Sequence, residues 1–205
     1  MKGLLRKDFY MTWSYAKRLL VVSLLFVALS LFAENGQVFL LYPMLLLTTL
    51  PASLLGYDEK FRWDRTCAAL PLTPAQVVAE KYLFGLLCSC AALVLLGGGA
   101  ALGVLLRGGT AGLWKLLSLL LAVGLIGPAL LLPFLIRWGS EKGRLAYYFL
   151  VGAICALFLL FMRPDTSLGA LALGPGDALL MLLLGALLYA LSCLLSIRLY
   201  KKREI

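Results

Sequence analysis

Six apolar runs, most of them long enough to cross a lipid bilayer, constrain this chain more than any other feature of its sequence. A hydrocarbon core of about 30 Å takes roughly 20 helical residues at ~1.5 Å each. The runs fall at about 19–33, 38–55, 83–106, 116–136, 145–162 and 178–199, the first extending back into a basic segment. Only Lys115 and Arg198 lie at or just inside their edges, where long side chains snorkel to the headgroups. A charge at mid-bilayer would cost at least about 2.5–3.5 kcal/mol, and the runs avoid it. The chain is 62% hydrophobic and 14% charged, against about 45–50% and about 25% in soluble domains. The sequence predicts an all-α, multi-pass membrane protein with six transmembrane helices. A cleaved signal peptide fits poorly: the 18 residues before the first run are long for an n-region, and Leu31 and Ala33 make a weak cleavage site.

Orientation follows from where the basic residues fall. With the N-terminus inside, 16 of the 19 lysines and arginines lie on one side and three, Arg107, Lys115 and Arg163, on the other. Both termini are therefore expected in the cytoplasm, with the chain in the plasma membrane. The formal charge of +9 is a topology signal, and no nucleic-acid partner is needed to explain it.

Between the second and third runs lies Gly56–Tyr82, which carries eight of the chain's 29 formal charges. Its second half has a helix-start signature. Thr73 precedes Pro74, and Gln76 follows three residues after Thr73, which together make a capping box. Leu72 and Val77 occupy the positions of a hydrophobic staple, and Pro71 favours an extended entry. The first half, Tyr57–Ala69, mixes acids and bases around Phe61 and Trp63, which predicts a short surface helix. Pattern alone leaves two readings: a helical hairpin on the membrane anchored by Trp63, or a platform for a cytoplasmic partner.

The N-terminal 18 residues form a second amphipathic element. On a helical projection Leu5, Phe9, Trp13, Ala16 and Leu20 share one face, while Arg6, Tyr10, Ser14 and Lys17 share another. Such a basic helix is expected to lie in the interface before turning into the first run.

With these elements in view, the chain resembles the small permeases of the ABC-2 transporter group, type V exporter-like in architecture and similar to the phenol-soluble-modulin exporter permeases. The resemblance rests on the opening "KGLLRKDFY", the loop "YDEKFRWDRTCAALPLTPAQVVAEKY" and the basic ending "SIRLYKKREI". The family's loop pattern maps onto Tyr57, Glu59, Lys60, Trp63, Leu70, Pro71, Val77, Val78, Lys81 and Tyr82, while the basic residue usual after the Ser/Thr is absent. The resemblance implies a single permease domain over 1–205 that pairs with a second copy or a paralogue. It also implies separate ATP-binding subunits, carrying ATP and magnesium, docked under a coupling helix in 56–82. Docking would then fall on Tyr57, Glu59, Lys60, Phe61, Trp63, Leu70, Pro71, Thr73, Gln76, Val77 and Lys81. Leu5, Phe9 and Trp13 would anchor the interfacial helix beside them.

The residues agree with an engine supplied from outside. The glycine run "GGGAALG" lacks the lysine of a phosphate-binding loop and lies inside an apolar run. Histidine is absent, and the five cysteines include no C-x-x-C pair, so neither catalysis nor a bound cofactor or metal is expected in this chain. The acids Asp58, Glu59 and Asp64 are interleaved with Lys60, Arg62 and Arg65, unlike the acid pairs of a lipid-modifying enzyme. A non-transporting scaffold or regulator is the alternative to a permease exporting hydrophobic or amphipathic cargo, whether peptide, lipid-like or drug-like. Pro43, Pro51, Pro128 and Pro133 predict kinks, and Gly99 with Gly103 a close helix contact. Thr166–Leu173 is expected to form an interfacial or re-entrant turn.

Overall fold

The computed structural model describes residues 2–32, 39–63, 67, 73–107, 113–161 and 175–201, and among them there is helix and turn but no strand. Seven helices follow in order: α1 (Lys2–Phe32), α2 (Leu41–Thr48), α3 (Leu50–Lys60), α4 (Pro74–Arg107), α5 (Leu113–Trp138), α6 (Ser140–Phe161) and α7 (Pro175–Lys201). Three stretches are long and apolar enough to cross a membrane: Pro74–Leu106, Leu116–Trp138 and Leu182–Lys201. A fourth joins them if α1, bent by 61° between Arg6–Trp13 and Ala16–Phe32, is taken as one span. The chain is thus a multi-pass membrane protein. The turn expected at Thr166–Leu173 lies outside the described residues.

Where the second apolar run was expected to kink, the helix breaks instead. Pro43 falls in the first turn of α2, where its missing N–H would have no intrahelical partner anyway. Pro51 cannot donate back one turn, so the chain restarts at Leu50 around Thr49. The Thr48 and Thr49 hydroxyls close the gap by donating to the carbonyls of Leu45 and Leu46 at 2.8 and 2.7 Å. α3 then runs past the apolar run to Lys60, so Tyr57–Lys60 is the end of that helix and not a separate surface element. Phe61 and Arg62 end it, Arg62 with φ of 50° in the left-handed region.

Two apolar clusters hold the bundle. One gathers Met44, Leu47, Leu50, Ala92, Leu96 and Leu120 between α2, the start of α3, α4 and α5. The other gathers Ala52, Leu55, Val78, Leu132, Leu135 and Tyr189 nearer the charged end. In lipid there is little hydrophobic drive between helices, so small and polar residues decide how closely they pack. α7 shows this. Its leucines face outward, while Gly185, Tyr189 and Ser196 are buried. The Tyr82 hydroxyl bonds Ser192 and Ser196 at 2.6 and 2.7 Å, and the Tyr189 hydroxyl donates to the Tyr82 carbonyl. The expected contact at Gly99 and Gly103 is with α1: a Cβ on Gly99 would stand 2.6 Å from Val27 Cγ1, and one on Gly103 would stand 3.4 Å from Leu31.

The turn from α5 to α6 is the tightest joint. Gly139 takes φ of +83°, and Gly143 packs against the backbone of α5. A Cβ on Gly143 would lie 2.7 Å from Leu135 Cα and 2.8 Å from the Phe134 oxygen, backbone atoms that cannot turn aside. Gly143→Ala is therefore expected to cost about 1–3 kcal/mol and lower the melting temperature of the detergent-purified protein. Gly98→Ala, where nothing lies within 4 Å, should leave it unchanged or raise it, since alanine favours helix by up to about 1 kcal/mol. Equal effects at both positions would contradict the packing described.

Candidate functional site

The charged end of the bundle is built around two lysines and three carboxyls drawn from three helices. Lys7 and Asp8 come from α1, Asp58 from the last turns of α3, and Glu80 and Lys81 from the beginning of α4. Lys81 Nζ lies 2.6 Å from both Asp8 Oδ2 and Asp58 Oδ2. Lys7 Nζ closes the ring at 2.8 Å from Asp58 Oδ1 and 3.0 Å from Asp8 Oδ1, and it also sits 4.0 Å above the Trp63 ring. Asp8 is 0% exposed and Glu80 1%. Burial alone would raise the Asp8 pKa, but the Glu80 hydrogen bond and the charges of Lys81 and Lys7 outweigh it and hold that carboxyl below its usual range.

Two ammonium groups face three carboxyls, an excess of one negative charge in a buried place. Glu80 Oε2 stands 3.5 Å from Lys81 Nζ, the longest ion pair in the cluster. With ammonium groups already between the carboxyls, the cluster is an internal ion network and not a cation site.

Local sequence places each member. α4 starts at Pro74 with the predicted capping box: the Thr73 N–H donates to Gln76 Oε1 at 3.0 Å, and the Gln76 N–H to Thr73 Oγ1 at 3.4 Å. That start fixes Lys81 two turns later on the face toward α1 and α3. Val77, half-buried, lines a small cavity with Trp63, Asp58 and Lys81. α1 presents Leu4, Asp8 and Thr12 inward, one turn apart. Its aromatic stripe points outward: Phe9 and Trp13 are 56% and 46% exposed and stack at 5.7 Å. That exposure suits an interfacial helix whose aromatics enter the lipid.

The residues expected to dock a partner do not share one surface. Tyr57, Lys60 and Phe61 are exposed at the tip of α3, Phe61 at 68%, and Thr73 is exposed nearby. Glu59 turns away from that surface: its Oε2 accepts from the Ser140 N–H at 2.8 Å and the Ser140 hydroxyl at 2.6 Å. It caps α6, where a carboxylate meets the positive end of the helix dipole. Trp63 and Lys81 belong to the interior, under and within the ion network. Leu70 and Pro71, and the Leu5 side chain, lie outside the described residues.

Sequence reasoning missed Asp8, Asp58 and Glu80 as partners of Lys7 and Lys81. A signal was present in the Lys-Asp pair on a helix otherwise basic and apolar, since a lone acid on such a helix needs a cation elsewhere.

Comparison with known proteins bears on the whole chain. A family model described as "ABC-2 family transporter protein" matches residues 3–201. No curated protein matches the chain.

A double-mutant cycle tests the network. Asp8→Leu or Lys81→Met alone should cost about 3–5 kcal/mol, because each strands a buried charge. Together they leave Lys7 with Asp58 and should cost less than the sum by about 0.5–3 kcal/mol. Additive losses in the melting temperature would mean that the two residues do not interact.

Proposed function

The chain belongs to the ABC-2 transporter family, and we propose that it is a permease subunit exporting a hydrophobic or amphipathic cargo with energy from separate ATP-binding subunits. In this reading Gly56–Tyr82 is the coupling loop. Those subunits carry ATP and magnesium and dock on Tyr57, Lys60 and Phe61. A second copy or a paralogue completes the membrane domain, and both termini face the cytoplasm, as the distribution of basic residues supports.

One observation carries the proposal. The exposed tip of α3 ends one turn beyond Asp58, and Asp58 is bound to Lys7 of α1 and Lys81 of α4. A push on the tip would thus reach the interfacial helix α1 and the apolar helix α4 through short, largely buried ion pairs. The apolar runs, free of acids from Leu83 to Leu106 and from Leu116 to Ile136, support peptide-like or lipid-like cargo over ions or sugars, since no charged relay crosses the membrane in them.

The test is a native pull-down from the source membrane, followed by an ATPase assay of what co-purifies. It compares the wild type with a Lys60→Glu, Phe61→Asp variant. Both changes fall on exposed side chains, so folding should be kept, within about 0.5 kcal/mol per surface site. A soluble ATPase that accompanies the wild type and is lost or uncoupled in the variant is the expected result. No ATPase with either protein, or identical behaviour of both, would overturn the coupling role and favour a membrane scaffold.

A further inference from the structure

An apolar groove of about 650 Å³ runs between α5 and α7, with two arginines at one end. Its walls include Pro133, Phe134, Leu188, Leu191 and Leu195, and its mouth carries Arg137, Trp138 and Arg198. Leu188, Leu191 and Leu195 are each about half exposed, so the groove opens to the outside of the bundle. Trp138 stacks on Phe134 at 5.3 Å and is itself exposed, in the position of an interfacial aromatic. Arg137 and Arg198 are both exposed, and no acidic residue among the described residues lines the groove. Neither arginine makes an ion pair among the described residues.

Both arginines stand in the last turns of their helices, where positive charge complements the dipole. The dipole accounts for their sign. It does not account for two guanidinium groups, without an ion pair among the described residues, lining the same end of one lipid-facing apolar slot. That arrangement has the shape and charge of one molecule: an acyl chain below, a phosphate between two donors above, and an aromatic ring at headgroup level.

We propose that the α5–α7 groove binds an anionic phospholipid of the surrounding leaflet, with one acyl chain along Leu188, Leu191 and Leu195 and its phosphate held by Arg137 and Arg198. Guanidinium groups suit this role because their planar fork meets phosphate oxygens in pairs. The site is separate from the ion network and from the exposed tip of α3, so its test needs no ATPase and leaves the transporter reading standing whichever way it falls.

The experiment is native mass spectrometry of the full chain in detergent, titrated with phosphatidylglycerol, phosphatidylcholine or glycerol phosphate. Wild type should retain phosphatidylglycerol well above phosphatidylcholine, and glycerol phosphate should not compete. Arg137→Gln with Arg198→Gln should weaken retention by roughly 30-fold, at about fivefold per basic residue near an anionic headgroup. Arg137→Lys with Arg198→Lys should keep most of it. Leu191→Trp, which fills the groove and spares the arginines, should also lose it. Equal retention of both lipids by wild type, or competition by glycerol phosphate at lipid concentrations, would overturn the proposal. So would a Leu191→Trp protein that binds lipid normally but changes its oligomeric state, which would make the groove a contact between copies.

Discussion

A lysine buried among carboxyls sets the terms for the charged end of this protein. Lys81 reaches Asp8 and Asp58 at 2.6 Å each, and those two residues belong to helices far apart in sequence. In a low-dielectric setting such a group is tolerable only when its counter-ions are held in place, because an uncompensated charge costs several kcal/mol. The ring of Lys7, Asp8, Asp58 and Lys81 therefore does more than add stability. It makes the relative position of α1, α3 and α4 nearly all-or-none: move one helix, and a buried charge loses its partner. Buried ion pairs are poor sources of net stability but effective at fixing register.

The neighbouring contacts extend that rule. Glu59 ties α3 to the start of α6 through Ser140, and Arg144 of α6 returns a hydrogen bond to the Ala52 carbonyl of α3 at 3.0 Å. On the far side of Lys81, Tyr82 joins α4 to α7 through Ser192 and Ser196. The α3 tip is thus linked by short polar bonds to α1, α4 and α6, and through α4 to α7. Under the proposed function this is the end where work from an ATP-binding partner would enter.

Much of this is legible in the sequence, and the rest shows where sequence stops. Apolar length reveals the membrane class, and the Thr73–Gln76 box is readable because a cap is local, complete within four residues. The aromatic stripe of the N-terminal helix is also visible, but an amphipathic pattern cannot say whether its apolar face looks to protein or lipid. Here Phe9 and Trp13 look outward, and the inward face is Leu4, Asp8 and Thr12. Glu59 reads as a docking residue in the sequence because its role as a cap for α6 depends on a partner 81 positions away. The partners of Lys81 are hidden for the same reason: the spacing from Asp8 is 73 residues, and no local pattern encodes it. Even the second apolar run, long enough for one helix, breaks at Thr49, where the Thr48 and Thr49 hydroxyls turn back onto the carbonyls of Leu45 and Leu46.

If the ion network works as a joint, α1 and the start of α4 move as one body with the loop between them and the ATPase. The direct measurement is an electron–electron distance between spin labels at Tyr10, which is exposed, and Ala75 in the first turn of α4, which is partly so. It would be made in a variant with the five native cysteines replaced, bound to its co-purified ATPase. The account predicts one distance population, unchanged between ATP-free and ATP-trapped complexes in the otherwise native protein and broadened when Asp8 is replaced by Leu. A shift by a helical turn, about 5 Å, on ATP trapping with the network intact would contradict it, because α1 and α4 would then be separating in the step they are held to share.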